Sequence, residues 1–393
     1  MILCGHARYF AALELGLIHL PAIRLSDLSA PLKRALSIAD NKLAELGEWD
    51  PDILPEELAF LFDCKTDLPF DPRFMGFDTV EVDHILSDEQ DTGRADPADQ
   101  FEPLNPGAMA VTTTDDLWVC DSHKLLCGSA LEPADYRRLL GEERPDLGFA
   151  DGPYNVPNVG HVTSRSDIRE FAMAAGEMTS EAFTAFNATF CKNMLHCLAA
   201  GAAVYLCMDW RHLPELRAGA DPVFGPLKNH IVWVKSNAGM GSSYRSQHEM
   251  ILFYVTPGGR LTNNFGLGGK GRYRTNVWRY PGFNAFGRDR DESLAMHPTV
   301  KPVALVKDAL LDCSNRGEIV LDPFGGSGTS MIAAESIGRR ARLIEIDPLY
   351  CDLIVRRWQA FSGKIARLAD TNETFDEVSA RRAEEACVAI RRA

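Results

Sequence analysis

The chain lacks the features that would assign it at a glance. Across 393 residues no apolar run approaches the roughly 20 residues of a membrane-spanning helix. Met1 to Phe10 lack a basic region leading into a long apolar stretch, so no secretory signal is read. The ten cysteines form no Cys-x-x-Cys pair and no Cys/His cluster at zinc-like spacing. Most of them flank apolar residues, which reads as small hydrophobes in a reducing compartment. No metal and no membrane partner is expected, and a cytoplasmic setting is. Internal repeats are absent. Positive charge is scarce overall, with 41 Lys and Arg against 55 Asp and Glu and a net charge of −14. Taken alone, that balance argues against a general nucleic-acid binder, so the distribution of charge matters more than its sum.

What is present is globular. Apolar residues make up 46% and charged residues 24%, which excludes collagen-like, disulfide-scaffold and wholly disordered classes. The length suits two or three domains. Residues 1–77 read as a small, mostly helical N-terminal piece. Gly5-His6-Ala7-Arg8 opens a helix that Gly16 ends, Leu20–Leu25 is a short extended segment, and Lys33–Leu46 is a second helix. Residues 78–116 carry eleven acidic residues against Arg94 alone, with little apolar content around Ser87–Gln100. They are expected to form an acidic linker whose part around Ser87–Gln100 is disordered or loosely attached. From residue 117 strand and helix alternate. A hairpin is expected around Asp121-Ser122, strands at Leu147–Ala150, Ala202–Met208, Ile231–Val234, Met250–Val255, Glu318–Leu321 and Ala341–Ile346, and helices at Pro133–Leu140, Ser180–Leu198, Val303–Ser314, Thr329–Ile337 and Pro348–Phe361. Repeated βα units imply an α/β fold with a doubly wound, mainly parallel sheet. Residues 363–393 read as a charged helical tail.

Two turns carry the chemistry. In Ile319-Val320-Leu321-Asp322-Pro323-Phe324-Gly325-Gly326-Ser327-Gly328-Thr329 a strand runs through a glycine-rich turn into a helix. The glycines let a ligand approach the main chain, and the helix start supplies free N–H groups that suit an anion. The next strand ends in Glu345, placed to accept hydrogen bonds from ribose hydroxyls. No Gly-Lys-Ser/Thr follows, so a P-loop is excluded. This element alone leaves a nicotinamide dinucleotide site open. The second turn, Asp151-Gly152-Pro153-Tyr154, follows the strand Leu147–Ala150, at the end of a parallel sheet where ligands bind. Methylation of an exocyclic amine fits it. Such a nitrogen has its lone pair delocalised into a base ring. A carboxylate and a backbone carbonyl that accept its two hydrogens restore electron density to nitrogen. Asp151, the Gly152 carbonyl and a stacking ring at Tyr154 provide these parts, with a sulfonium as methyl donor.

In these motifs the chain resembles the amino-methyltransferases of DNA, adenine-N6 or cytosine-N4, in the subgroup whose catalytic motif precedes its cofactor motif. Asp151–Tyr154 corresponds to the family's Asp-Pro-Pro-Tyr, Asp322–Thr329 matches its Asp-Pro-Phe-Gly-Gly-Ser-Gly-Thr loop, and His297–Pro302 matches its His-Pro-Thr-x-Lys-Pro segment. The resemblance covers about 117–362 and implies a Rossmann-like methyltransferase fold that uses S-adenosylmethionine (SAM). It implies cofactor contacts at Asp322, Phe324, Gly325, Gly326, Gly328, Thr329 and Glu345. It adds His297, Thr299 and Lys301 at the methionine end. Two positions depart. Gly152 stands where the family has proline, and Ser129 where it usually has an Asp that contacts the adenine amine. Weaker cofactor affinity is the expectation, since a neutral hydroxyl lacks charge assistance.

Between the motifs, residues 227–290 hold ten basic residues opposed only by Glu249 and Asp289, interleaved with Trp233, Tyr244, Tyr273, Trp278 and Tyr280. Such a pattern suits phosphate contact and base stacking. The family carries target recognition here, in an insertion placed at about 236–296, and Arg245, Lys270, Arg272 and Arg274 are the expected DNA contacts. At the N terminus, Gly5–Arg8 and Ile38-Ala39-Asp40-Asn41-Lys42 resemble the second half of a ParB-like domain. The reading is a SAM-dependent DNA methyltransferase, with adenine favoured because the motif begins with Asp. Cytosine-N4 specificity, a non-catalytic DNA-binding remnant and a nicotinamide oxidoreductase are the alternatives. The oligomeric state is left open, a homodimer being one arrangement.

Overall fold

The computed structural model describes residues 2–29, 31–37, 53–61, 77, 79–86, 97–99, 107–156, 174–238, 243–268, 272–282 and 300–392. They fall into two compact units, Met1–Phe60 and Leu61–Ala393. In the first, helix α1 (His6–Glu14) follows Gly5, at φ 82, and stops before Gly16, at φ 67. A left-handed glycine after the last turn is a helix stop, as the sequence predicts. Residues 31–37 are helical, which covers the start of the expected Lys33–Leu46 helix, and its remainder lies outside the described residues. Helix α2 spans Ile53–Leu61. Leu20–Leu25 joins no ladder.

The second unit runs α3 (Thr79–Leu86), β1 (Leu117–Cys120), β2 (His123–Cys127), α4 (Pro133–Leu140), β3 (Leu147–Ala150), α5 (Ser180–Cys197), β4 (Ala203–Met208), α6 (Leu213–Phe224), β5 (Asn229–Val234), β6 (His248–Val255) and β7 (Val277–Arg279). It continues with α7 (Val303–Cys313), β8 (Ile319–Asp322), α8 (Thr329–Ser336), β9 (Arg340–Glu345), α9 (Pro348–Ser362), β10 (Arg367–Leu368) and α10 (Phe375–Arg392). Among the described residues ten strands form one sheet in the order β10-β1-β2-β9-β8-β3-β4-β6-β5-β7. The centre, β2-β9-β8-β3-β4, is parallel, while β6 runs antiparallel to both β4 and β5.

Both faces are covered, because alternate residues of each strand enter opposite cores. In β4, Tyr205 and Cys207 pack with α7, α8 and α9, whereas Val204, Leu206 and Met208 pack with α4, α5 and α6. This is the doubly wound α/β arrangement expected. The charged tail does more than trail. β10 pairs with β1, and Phe375 of α10 packs on Trp118 with ring centroids 5.2 Å apart.

The described parts of the acidic stretch, 79–86, 97–99 and 107–116, make specific contacts, and residues 87–96 of the expected loose part lie outside the described residues. Asp83 of α3 binds the buried Arg339 through both oxygens (2.8 and 2.7 Å) and lies 3.1 Å from Arg316. Asp99 accepts from Val303 N at the start of α7 (2.9 Å), and Asp116 pairs with Arg382. Within the low-apolar part Asp99 meets a helix N terminus, and on either side of it Asp83 and Asp116 meet guanidinium groups. The stretch expected as an insertion, 236–296, likewise contains β6 and β7, which belong to the sheet. Among the described residues no helix is long and apolar enough to cross a membrane.

Candidate active site

The strand order reverses direction between β8 and β3. From β8 the chain passes through α8 to β9 on one side, and from β3 through α5 to β4 on the other. The crevice beyond the C-terminal ends of such a pair is where open α/β sheets bind ligands. Both sequence-predicted turns open there. β3 and β8 are paired in register, Gly148 opposite Leu321, so Asp151 and the glycine turn leave adjacent strands at nearly the same height. They also touch, since a Cβ built on Gly152 would lie 3.0 Å from the Phe324 ring.

The glycine turn is shaped for close approach. Gly326 and Gly328 take φ values of 53 and 83. Gly325 and Gly328 press on Ile354 of α9, where added Cβ atoms would lie 3.0 and 3.1 Å from it. Gly326 meets nothing closer than 3.8 Å, so its outer face is open. Thr329 then starts α8 and presents the helix N terminus to the crevice. Asp322 holds the turn from below, accepting from Phe324 N (3.0 Å) and from the Ser330 hydroxyl, and burial pushes its carboxyl up to about 8. Thr329 Oγ1 is buried against Arg357 and Ser327. The side chains of Asp322 and Thr329 thus build the loop, and it is the main chain at the start of α8 that faces the crevice.

Glu345 ends β9 beside the turn. Its Oε2 accepts from Gly326 N (2.7 Å) and its Oε1 from Asp347 N (2.9 Å). Burial raises it to about 7. A carboxylate offers about four acceptor positions, which leaves roughly two for a diol. Ile346, 38% exposed, adds an apolar surface at the same edge. Ser129 lies where Gly128 N donates to the Glu345 carbonyl (2.9 Å). Its own N–H donates to Asp135 Oδ2 (2.6 Å), and its hydroxyl accepts from Leu131 N (3.2 Å). A carboxylate therefore does stand at this corner, supplied by Asp135 of α4 and not by position 129. An open glycine face, a helix N terminus, a buried diol acceptor and an apolar edge fit a nucleoside bearing a carboxylate.

The Asp151–Tyr154 turn sits in a charge cluster. Lys301 is 3% exposed. Its ammonium donates to Asp151 Oδ1 (2.7 Å) and Tyr154 Oη (2.9 Å) and pairs with Glu249 Oε2 (3.0 Å). Lys235 pairs with the other oxygen, Glu249 Oε1. Burial raises the Asp151 carboxyl against the pull of Lys301. Burial also acts upward on Glu249, but Lys301 and Lys235 outweigh it and hold the group at about 2. Tyr154 keeps its proton, burial and the two carboxylates raising it well above the usual phenol range. With its hydroxyl pinned, the half-buried Tyr154 ring is fixed in orientation. Asn155, at φ 54, locks the next residue, its side chain binding Gly176 N, Met178 N and Met178 O.

Lys301, expected at the cofactor's methionine end, has its ammonium on the Asp151 carboxylate. Sequence reasoning missed Glu249 and Lys235. The available signal was Glu249 itself, one of only two carboxylates in a basic segment. Of the expected DNA contacts, Arg245 is exposed and Tyr244 beside it is 91% exposed. Arg272 and Arg274 turn inward, each bridging Asp308 and Asp312 of α7 at 2.8–3.0 Å. Each guanidinium thus already has two carboxylate partners within the protein, the buried Asp312 and the part-exposed Asp308. Lys270, His297 and Thr299 lie outside the described residues.

The chain matches the DNA methylase family over residues 146–356, more than half its length. It is 28% identical over 262 residues to the DNA adenine methyltransferase YhdJ of Escherichia coli (strain K12), covering 60% of this chain and 83% of that protein. It is 23% identical over 255 residues to the type II methyltransferase M.HpaI of Haemophilus parainfluenzae, covering 61% and 76%. The solved M1.HpyAVI–SAM complex aligns with a TM-score of 0.41 at 18% identity, over 60% of this chain and 98% of that one. The family match begins at residue 146, so the ParB-like resemblance of residues 1–77 rests on sequence motifs alone.

Proposed function

The chain belongs to the DNA methylase family, the N6/N4 amino-methyltransferases that use SAM, and on that premise we propose that it methylates adenine N6 through the turn Asp151–Tyr154. The observation that carries this reading is the juxtaposition of that turn with the glycine turn on neighbouring parallel strands. SAM supplies an electrophilic methyl group when bound. Gly326, the start of α8, Glu345, Ile346 and the Ser129–Asp135 corner would hold it, with Phe324 between it and the catalytic turn.

The remaining work belongs to the chain's own groups. Asp151 and the Gly152 carbonyl accept the two amine hydrogens and so raise the electron density on nitrogen. Tyr154 offers a ring of fixed orientation for stacking. Holding both partners in line removes much of the entropic barrier. In duplex DNA the base must first leave the stack, at a cost of a few kcal/mol. Arg245 and Tyr244, both exposed, suit phosphate and base contact. The similarity to a protein named a DNA adenine methyltransferase supports adenine over cytosine. Retention of carboxylate, carbonyl and ring together supports catalysis over a binding remnant.

Transfer of tritiated methyl from SAM to unmethylated genomic DNA tests the proposal, followed by identification of the modified base. Label in N6-methyladenine that disappears with Asp151→Ala is the expected result. Label in N4-methylcytosine would replace the adenine assignment, and label unaffected by Asp151→Ala would remove the turn from catalysis.

A further inference from the structure

We propose that Lys301 and Glu249 are positioning residues for methyl transfer: together they fix which oxygen of Asp151 faces the target amine. The inference rests on the assignment of Asp151 as the catalytic carboxylate. An ammonium has three N–H donors, and Lys301 has three acceptors at hydrogen-bond distance: Asp151 Oδ1, Tyr154 Oη and Glu249 Oε2. None is left over for a cofactor carboxylate. The ammonium is also boxed by aromatic faces, 5.2 Å from the Tyr154 ring centroid and 5.6 Å from that of Trp233. Trp233 of β5 lies directly opposite Glu249 of β6 in the ladder, so the sheet itself sets the height of the clamp. Lys235, on the other oxygen of Glu249 and 4.7 Å over the Trp233 ring, stops that carboxylate from rotating.

The consequence falls on Asp151. Its Oδ1 receives Lys301 and also lies 2.9 Å from the Tyr154 hydroxyl. Among the described contacts its Oδ2 receives nothing, which makes Oδ2 the oxygen presented to the amine. Tyr154 has one proton and two carboxylate acceptors at 2.9 Å, Asp151 Oδ1 and Glu249 Oε2. It can turn that proton toward either without moving its ring. Two carboxylates and two ammonium groups leave the cluster neutral, as suits a neutral base. The other titratable groups acting on it are Cys207 of β4 and Asp322 of β8. Both are buried and protonated near neutrality, Asp322 at about 8, so the charged neighbours that set Asp151 are Lys301, Glu249 and, behind it, Lys235.

The test measures single-turnover methyl transfer to unmethylated genomic DNA as a function of pH, with SAM affinity by calorimetry, for Glu249→Gln, Lys301→Met, Lys301→Arg and Asp151→Asn. Glu249→Gln should lower the rate at saturating SAM roughly 10- to 100-fold, as misplacement of a reacting group does, with SAM affinity unchanged. It also removes a negative neighbour of Asp151, so the acidic limb of its profile should move to lower pH. Lys301→Met removes the positive neighbour and should move that limb up by about 1–3 units, and Lys301→Arg should bring it back. Opposite shifts are something a merely structural role would not produce. Should Lys301→Met fail to fold, the Glu249→Gln profile decides alone. A Glu249→Gln profile superimposable on wild type overturns the proposal. So does a loss of SAM affinity in Lys301→Met or Lys301→Arg with the saturated rate preserved. Full activity in Asp151→Asn would instead overturn the assignment of the turn, independently of Glu249.

Discussion

Replacing Gly152 with alanine sets two effects of opposite sign against each other. Gly152 does not take a positive φ, so alanine is sterically allowed by the backbone. The lost freedom of the unfolded chain would then stabilise the protein by about 0.4–1 kcal/mol. Against this, the new methyl group would lie 3.0 Å from Cε2 and 3.2 Å from Cδ2 of Phe324. The ring has little room to retreat. Phe186 and Phe190 stand behind it with centroids 6.1 and 5.1 Å away. Forcing extra carbon into a packed cluster costs about 1–3 kcal/mol. The clash therefore wins, with a net loss of about 1 kcal/mol. Because Phe324 belongs to the glycine turn proposed to hold SAM, SAM affinity should fall in parallel. Urea denaturation at constant m-value reads the first quantity and calorimetric titration the second. Phe324→Leu in the same chain should relieve the clash and give a favourable coupling in a double-mutant cycle. A Gly152→Ala protein more stable than wild type, or a coupling of zero, would refute the argument.

Three further outcomes follow from how the charged groups are placed. Asp83→Ala strands two guanidinium groups, Arg339 and Arg316, against one another in the interior. Denaturation should show a loss of about 3–5 kcal/mol, and a loss near the roughly 1 kcal/mol of a surface pair would mean that α3 is not docked as described. Arg245→Ala should lower the salt slope of DNA binding by about 1 with stability unchanged. Arg272→Ala should do the reverse, costing stability and leaving the slope alone, and gel-shift titrations at several salt concentrations separate the two.

The parallel half of the sheet was legible because its signals are local. Leu147–Ala150 and Ile319–Leu321 are short apolar runs bounded by turn residues, and each is buried in full as β3 and β8. The glycine turn was legible for the same reason, since a left-handed glycine followed by a helix leaves a pattern a few residues long. Helix α6 was not foreseen. Pro222 lies inside it, and a proline there reads as a break. Strand β7 is three residues long and pairs in parallel with β5, forty-odd residues away in the chain. No periodicity announces a strand of that length. The antiparallel setting of β6 was equally hidden, because apolar alternation carries no direction.

Charge partners were the least legible feature, and the reason is physical. A carboxylate in sequence looks the same whether water or a buried cation will solvate it. Asp83, Asp99 and Asp116 lie within one acidic run, yet their partners are Arg339, Val303 N and Arg382, more than two hundred residues away. The same blindness applies at the catalytic turn. Asp151, Glu249 and Lys301 come from three distant segments and meet only because β3, β4, β6 and β5 lie side by side and the chain returns to α7 across their ends. Net charge misleads for a related reason. A basic segment was read as a surface for phosphate, but Arg272 and Arg274 spend their charge on Asp308 and Asp312, and Lys235 spends its charge on Glu249. Burying a lone cation is prohibitive, so a cation that enters the core must find an anion there. The count of basic residues in a segment is therefore an upper bound on what it can offer to DNA, and the exposed Arg245 is worth more to that argument than the two ion-paired arginines together.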